Sequence, residues 1–162
     1  MIHQALAPYF QSTMAMLEAP EIEPGFDLLE RAIRLYFTFL RNNPSVVRLL
    51  AWSQAIQVRQ SSPKLLDPEL CASPMALGAE RLTEAQNAGR IRSDIPPVHI
   101  IKLFLDLCLA WHMSVLDFCL DIGTDPNDTT TVDRMHEAHL EFILATLRSG
   151  LALEPAQNGE AR

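Results

Sequence analysis

The sequence predicts an all-α domain of six or so helices. Gly and Pro divide the 162 residues into helix-length segments, within which apolar residues recur at intervals of three and four. The period-two alternation of half-buried strands is absent. Apolar residues make up 48% of the chain and charged residues 20%, a balance that favours a folded core over disorder. We therefore expect one helical domain over residues 1–153, followed by a flexible tail over 154–162.

Turn residues and capping residues set the boundaries of these helices. Two helix starts combine a capping side chain with Pro at the first helical position, at Asn43-Pro44 and Ser73-Pro74. Three helix ends are assigned to a glycine, at Gly89, Gly123 and Gly150. Threonines of the loop after Gly123 are expected to cap the last helix. The predicted segments span about 2–18, 26–41, 45–60, 74–88, 97–121 and 132–148.

The second segment predicts a mostly buried helix with one polar side. On a helical wheel its apolar residues cover most of the circumference. Its polar residues share the remaining side: Glu30, Arg31, Arg34, Thr38 and Arg41. Only that side is expected to face water.

Charge argues against direct contact with nucleic acid. The formal net charge is −7 and the sequence pI is near 5.1. Nucleic-acid-binding proteins normally carry a basic patch, because phosphate neutralisation supplies much of their affinity. The densest positive stretch here is Arg90 and Arg92, and Asp94 follows it directly. We expect no contact between this chain and DNA or RNA.

The sequence predicts a cytoplasmic protein that does not cross a membrane. Its longest apolar stretch, Val98–Leu120, contains too many ionisable residues for a lipid-facing helix: His99, Lys102, Asp106, His112 and Asp117. The N-terminus has no positive segment followed by an apolar core, so it is not a secretory signal. The three cysteines (71, 108 and 119) form no CxxC pair and no Cys/His metal spacing, which favours buried thiols in a reducing compartment.

No motif for catalysis or for a cofactor is present. The sequence lacks GxSxG, HExxH, P-loop and GxGxxG patterns. His136 and His139 fall on one helical turn and would supply two metal ligands, but a metal would need further ligands from elsewhere. The alternative is that both histidines pack in a helix–helix interface together with Ile143 and Leu147. In that case their protonation near pH 6 would loosen the interface.

The fifth helix has more apolar surface than one small domain is expected to bury. Its polar residues form a single stripe, which Ala110 and Met113 interrupt, and the rest of its circumference is apolar. Surplus apolar surface on a long helix indicates a partner, most often a second copy of the chain. We therefore expect a homodimer.

Polar side chains on otherwise apolar helices are candidates for a small-molecule pocket. Ser53 and Gln57 lie on the third helix with apolar neighbours, and His112 lies outside the polar stripe of the fifth. A pocket needs apolar area for affinity and a few hydrogen-bonding groups for orientation. The other interpretation is ordinary surface polarity for Ser53 and Gln57 and a hydrogen-bonded interior position for His112.

Two stretches resemble regulators of the tetracycline-repressor (TetR) family. The stretch EAQNAGRIRSDIPPVHIIKLFLDLCLAWHMSVL has a helix ending in Ala-Gly, a short turn with Arg and Asp, and a long apolar helix. The stretch LLERAIRLYFTFLRNNPSVVRLLAW has a helix that ends in Asn-Pro before another begins. The resemblance covers residues 5–151, and the family's helix-turn-helix region of about fifty residues has no counterpart in this sequence.

The resemblance implies a helical domain that binds an inducer and dimerises through its last two long helices. The ligand would be small and hydrophobic, lined by Phe37, Trp52, Ile56, Phe104, Cys108, Trp111 and His112. The expected dimer interface comprises Ala110, Met113, Asp117, His136, His139, Leu140, Ile143 and Leu147.

Three functions are compatible with these observations. The first is the effector-sensing and dimerisation domain of a TetR-like regulator without a DNA-binding region of its own. The second is an interaction protein that forms mixed dimers with full-length relatives and modulates them. The third, a small helical enzyme, lacks any catalytic constellation to support it.

Overall fold

The computed structural model confirms an all-α fold with six helices in the residues that it describes. It describes the backbone of residues 2–57 and 68–152 and the side chains of residues 6–53 and 72–152. The helices are α1 (Ile2–Glu18), α2 (Phe26–Asn42), α3 (Pro44–Gln57), α4 (Pro68–Asn87), α5 (Pro97–Asp121) and α6 (Thr129–Leu151). The predicted tail at 154–162 and the side chains of Ile56, Gln57 and Cys71 lie outside the described residues.

The predicted start of the fourth helix is wrong. This helix begins at Pro68 and continues through Pro74, which therefore does not mark its first turn. Pro74 removes one interior hydrogen bond of α4. The preference of a Ser-Pro pair for a helix start is thus not followed here, since residues on both sides of Pro74 are helical.

Two predicted helix caps also differ from the structure. The Asn43 amide donates to the carbonyl of Phe39 at 2.8 Å, so this side chain closes α2 and does not cap α3. The side chain of Asp128, and not a threonine, accepts from the backbone N–H of Thr131 at 3.2 Å and caps α6. The carboxylate of Asp128 is also the better match for the partial positive charge of a helix N-terminus.

Two of the three predicted glycine ends are confirmed. Gly89 and Gly123 have φ values of 65° and 73°, in the left-handed region that glycine adopts without a steric penalty. Beyond Gly123, the N–H of Thr124 donates to the carbonyl of Cys119 at 2.8 Å, which satisfies an end group of α5. Gly150, in contrast, lies inside α6, which continues to Leu151.

The central element of the fold is α5. It contacts α2, α3, α4 and α6, while α1 packs on α2, α3 and α4. Cys108 and Cys119 on α5 are fully buried free thiols, as predicted. By length and apolar composition α5 also meets the criteria for a membrane-spanning helix, as buried helices of soluble proteins sometimes do.

Ion pairs align α2 with α6 along the predicted polar side of α2. Arg34 contacts Glu141 at 2.8 Å, and Arg41 contacts Glu137 at 2.9 Å. Exposed pairs of this kind contribute at most about 1 kcal/mol each, so they set register more than they add stability.

The α4–α5 connector fixes the end of α6. The backbone N–H of Arg92 donates to the carbonyl of Leu151 at 3.1 Å. The Gln86 amide in turn donates to the carbonyls of Arg92 and Ile95 at 3.0 and 2.7 Å. The turn with Arg and Asp in the sequence thus joins three helices.

Three histidines and Trp111 form a cluster where α5 meets α6. The indole N–H of Trp111 donates to Nδ1 of His136 at 3.0 Å, so the proton of this neutral imidazole lies on Nε2. His112 Nδ1 lies 2.8 Å from the carbonyl of Cys108 and must be the donor there. The ring of His139 stacks on Trp111 with 4.0 Å between centroids. All of these contacts lie within one chain.

Burial keeps this cluster neutral. Loss of hydration lowers the pKa of His112, His136 and His139, and that of His136 falls to about 4. Nearby His112 and Arg41 lower the His136 pKa further, while Asp133 and Glu137 partly oppose them. Because the folded chain binds protons at these sites less readily than the unfolded chain, the free energy of unfolding falls as the pH drops through the ordinary histidine pKa of 6.5.

We therefore expect acidification from pH 7.5 to pH 5 to cost about 2 kcal/mol of folding stability through His136. His136→Gln should remove most of this pH-dependent part, although it lowers stability at every pH by weakening the bond with Trp111. Urea unfolding at several pH values measures both effects. The exposed His99 provides the control, since His99→Gln should keep the full loss. An equal loss in wild type and His136→Gln would contradict the assignment.

Substitution by alanine should have opposite effects on stability at Gly123, which follows α5, and at Gly150, which lies in the last turn of α6. Gly123→Ala forces a side chain into the left-handed region and should cost about 1 kcal/mol. Gly150→Ala meets no atom within 4 Å in a helical position and should stabilise by up to about 0.5 kcal/mol. Thermal unfolding of the two variants measures the difference, and a change of the same sign in both would contradict it.

Candidate functional site

An apolar cavity of about 330 Å³ lies between α1, α2, α4 and α5, with Leu50 of α3 also in its wall. It has the size of a small-ligand pocket, at the lower end of the usual range. Its wall comprises Leu6, Tyr9, Phe10, Thr13, Leu17, Leu28, Leu29, Ala32, Tyr36, Leu50, Pro74, Met75, Gly78, Leu82, Ile101, Phe104 and Leu105. We refer to it as the α1–α5 cavity.

Aromatic rings form one side of the α1–α5 cavity. Tyr9 lies next to Phe10 and Tyr36, with centroid separations of 5.4 and 5.3 Å. Tyr36 also makes an edge contact with Phe104 at 6.5 Å. Rings held by such mutual contacts offer a large apolar surface that changes little when a ligand binds.

The polar groups of this wall are few and uncharged. Among the lining residues that the structure describes, only Tyr9, Thr13 and Tyr36 have a side-chain oxygen, and none has a charge. The Thr13 hydroxyl donates to the carbonyl of Tyr9 at 2.9 Å. Burial raises the pKa of Tyr36, which keeps this phenol neutral. The cavity therefore offers apolar contact with a small number of neutral hydrogen-bonding groups.

Residue spacing on α1 and a glycine on α4 account for the cavity. On α1, apolar and threonine side chains at intervals of three and four place Leu6, Phe10, Thr13 and Leu17 on one face. Opposite them, Gly78 leaves space, because a Cβ there would come within 3.4 Å of Ile101 Cδ1. The cavity thus lies between large side chains on α1 and a position on α4 that has no side chain.

Of the residues predicted to line a ligand pocket, Phe104 lines the α1–α5 cavity. Trp52 is 56% exposed on α3 and faces away from the core. The others with described side chains lie in the packed region around the histidine cluster, namely Phe37, Cys108, Trp111 and His112.

Sequence reasoning missed the contributions of α1 and α4 to the cavity. The prediction favoured α3 and the centre of α5, where polar residues interrupt apolar stretches. The apolar face of α1 and the interior glycine of α4 were the available signals. Gly inside a helix costs about 1 kcal/mol relative to Ala, so its presence there often indicates a need for space.

A second concave surface, the outer groove, lies between the exposed faces of α5 and α6. Its volume is about 580 Å³, and it opens widely to solvent. The lining residues are Trp111, Ser114, Asp117, Phe118, Asp121, Met135, Ala138, His139 and Phe142. On α6 they follow the i, i+3, i+4, i+7 spacing of one helical face. Phe142 is 62% exposed, and Phe118 and Leu116 are also exposed, so this apolar face has no cover within the described chain.

The residues predicted for a dimer interface divide into two groups. Ala110, Met113 and Asp117 are exposed on α5, and His139 lines the outer groove. The remaining four are buried inside their own chain: His136, Leu140, Ile143 and Leu147. The most apolar face of α6 thus packs on α2 and α5, because a single chain needs it for its own core. The neighbouring face, with Met135, Ala138 and Phe142, is the one left outside.

The described residues offer neither a metal site nor an activated thiol. They contain no group of three or more His, Cys, Asp or Glu side chains that would hold a metal ion. Burial raises the pKa of the Cys108 thiol to about 12, so it stays protonated and unreactive.

A comparison with known proteins identifies the family of this chain. Residues 27–143 match the family model described as "Tetracyclin repressor-like, C-terminal domain". Neither a curated protein nor a solved structure matched the chain. The matched range covers α2 to most of α6 and more than half of the 162 residues. The chain belongs to the family of tetracyclin repressor-like C-terminal domains.

Proposed function

We propose that this chain is the effector-binding and dimerisation domain of a cytoplasmic regulator, and that it binds a small apolar molecule in the α1–α5 cavity. Family membership supports a regulatory domain of this kind. The observation that carries the ligand proposal is the cavity itself, whose seventeen described lining residues include no charged one.

The energetics of an apolar cavity favour an occupant. Side chains around unfilled space lose dispersion contacts, and a core with such a void is less stable than a filled one. A ligand of matching shape restores these contacts and removes its own apolar surface from water. Because the ligand binds the folded chain and not the unfolded one, it raises the midpoint of thermal unfolding.

The outer groove supports pairing with a second copy. Exposed aromatic and aliphatic side chains on two adjacent helices form a continuous patch, which a soluble monomer seldom leaves open. In a two-fold pair, α5 and α6 of both copies would pack as four helices and bury Phe118 and Phe142.

Ala32→Phe should abolish ligand binding by filling the cavity. Ala32 lines the α1–α5 cavity on α2, and a benzyl group there would occupy the space of a ligand. We expect affinity for a bound hydrophobic compound to fall at least about tenfold, with the unfolding midpoint unchanged or raised. Calorimetric titration after a thermal-shift screen measures both. Ala76→Phe, on the exposed side of the neighbouring helix α4, is the control. Tight binding retained in Ala32→Phe would contradict the location.

Phe142→Asp should convert a dimer into a monomer. The charge would lie in the centre of a buried interface, which costs several kcal/mol without a partner. Sedimentation equilibrium measures the state of association. Trp52→Asp is the matched control, because Trp52 is equally exposed but lies on α3, outside the outer groove. A monomeric wild-type chain, or dissociation in both variants, would contradict the proposed interface.

A further inference from the structure

The Thr13 hydroxyl determines which kind of hydrogen-bonding group a ligand in the α1–α5 cavity needs. A threonine hydroxyl has one proton, and that of Thr13 is donated to the carbonyl of Tyr9 one turn earlier on α1. Its oxygen retains acceptor lone pairs, and the side chain lines the cavity while only 8% exposed. A group in the cavity that bonds this oxygen must therefore supply the proton.

The rest of the wall, as far as its side chains are described, disfavours an ionised ligand. A carboxylate or ammonium group inside would lose its hydration and meet no opposite charge among the described lining residues. The buried phenol of Tyr36 is held neutral and supplies no anion. Neutral polar groups, in contrast, lose little if they find one hydrogen bond.

Cavity size limits the ligand further. At the volume of about 30 Å³ that a water molecule occupies in the liquid, 330 Å³ accommodates about eleven such units. Covalently bonded atoms pack more closely, so the matching ligand has roughly eleven to fifteen non-hydrogen atoms.

We propose that the α1–α5 cavity binds an uncharged molecule of about this size with one hydroxyl or N–H group, which donates a hydrogen bond to Oγ1 of Thr13. This inference rests on the proposed function and names the ligand class for the same site. The aromatic rings of Tyr9, Tyr36 and Phe104 receive the apolar body of the ligand, and Thr13 sets its orientation.

Three probes of nearly equal shape test the separate parts of this proposal. They are naphthalene, naphthol, and a naphthoate whose carboxylate is on the same ring carbon as the hydroxyl of the naphthol. Equilibrium dialysis at pH 7.5 with the whole chain measures each affinity from the absorbance of the free probe. Naphthol should bind about three- to tenfold more tightly than naphthalene, the range expected for one net hydrogen bond. Naphthoate should bind at least about thirtyfold more weakly than naphthol, because its charge is desolvated without a partner.

Thr13→Val removes the acceptor while keeping the shape of the side chain. Naphthol should then lose its advantage, whereas naphthalene should bind within about twofold of wild type, which also shows that the variant is folded. Thr83→Val is the matched control. The Thr83 hydroxyl makes the same bond to the carbonyl four residues earlier, that of Ala79, at 2.8 Å, but it is exposed on α4. This control should leave all three affinities unchanged.

The outcomes distinguish the ligand class from the site. Equal binding of naphthol and naphthalene, a naphthol preference that survives Thr13→Val, or tight binding of naphthoate would overturn the ligand class while leaving the cavity as a binding site. Failure of all three probes to bind the wild-type chain would overturn the ligand class and the proposed pocket together.

Discussion

Covering one long apolar helix is the constraint on which this structure depends. Apolar residues cover most of the circumference of α5, and each uncovered side costs free energy in proportion to its area. Helices α2, α3, α4 and α6 surround it, and α1 completes the cover over three of these. Five shorter helices do not close around a 25-residue helix everywhere. Two gaps in the described packing are the α1–α5 cavity near its beginning and the outer groove near its end.

The bounds of most helices could be predicted because they depend on local chemistry. The bounds of α5 match the prediction, since Pro97 fixes the start and Gly123 supplies the left-handed residue after the end. Local signals are ambiguous where several occur close together. Pro74 is a helix start in isolation, but Pro68 six residues earlier is another such signal, and α4 already includes Pro68 and continues through Pro74.

The sites could be predicted only in part, because a sequence shows which face is apolar but not what covers it. The face of α6 with Ile143 and Leu147 is its most apolar one, and the chain uses that face for itself. Phe104 was predicted to line a pocket and lies in the wall of the cavity, but the opposite wall comes from α1, about ninety residues earlier. Such a pairing depends on which helices meet across the core, and helical periodicity contains no information on that.

The cavity and the outer groove are connected through the same rigid element. Ile101, Phe104 and Leu105 face the cavity, and Trp111, Ser114 and Phe118 face the groove, so the two sets are about ten residues or roughly 15 Å apart along α5. A helix of this length transmits a tilt or a translation with little bending, because its backbone hydrogen bonds resist local distortion. Under the function proposed above, a ligand that favours one position of α5 would change how two copies pair. Pairing would then change the affinity for that ligand by the same factor, since coupling between two binding events is reciprocal.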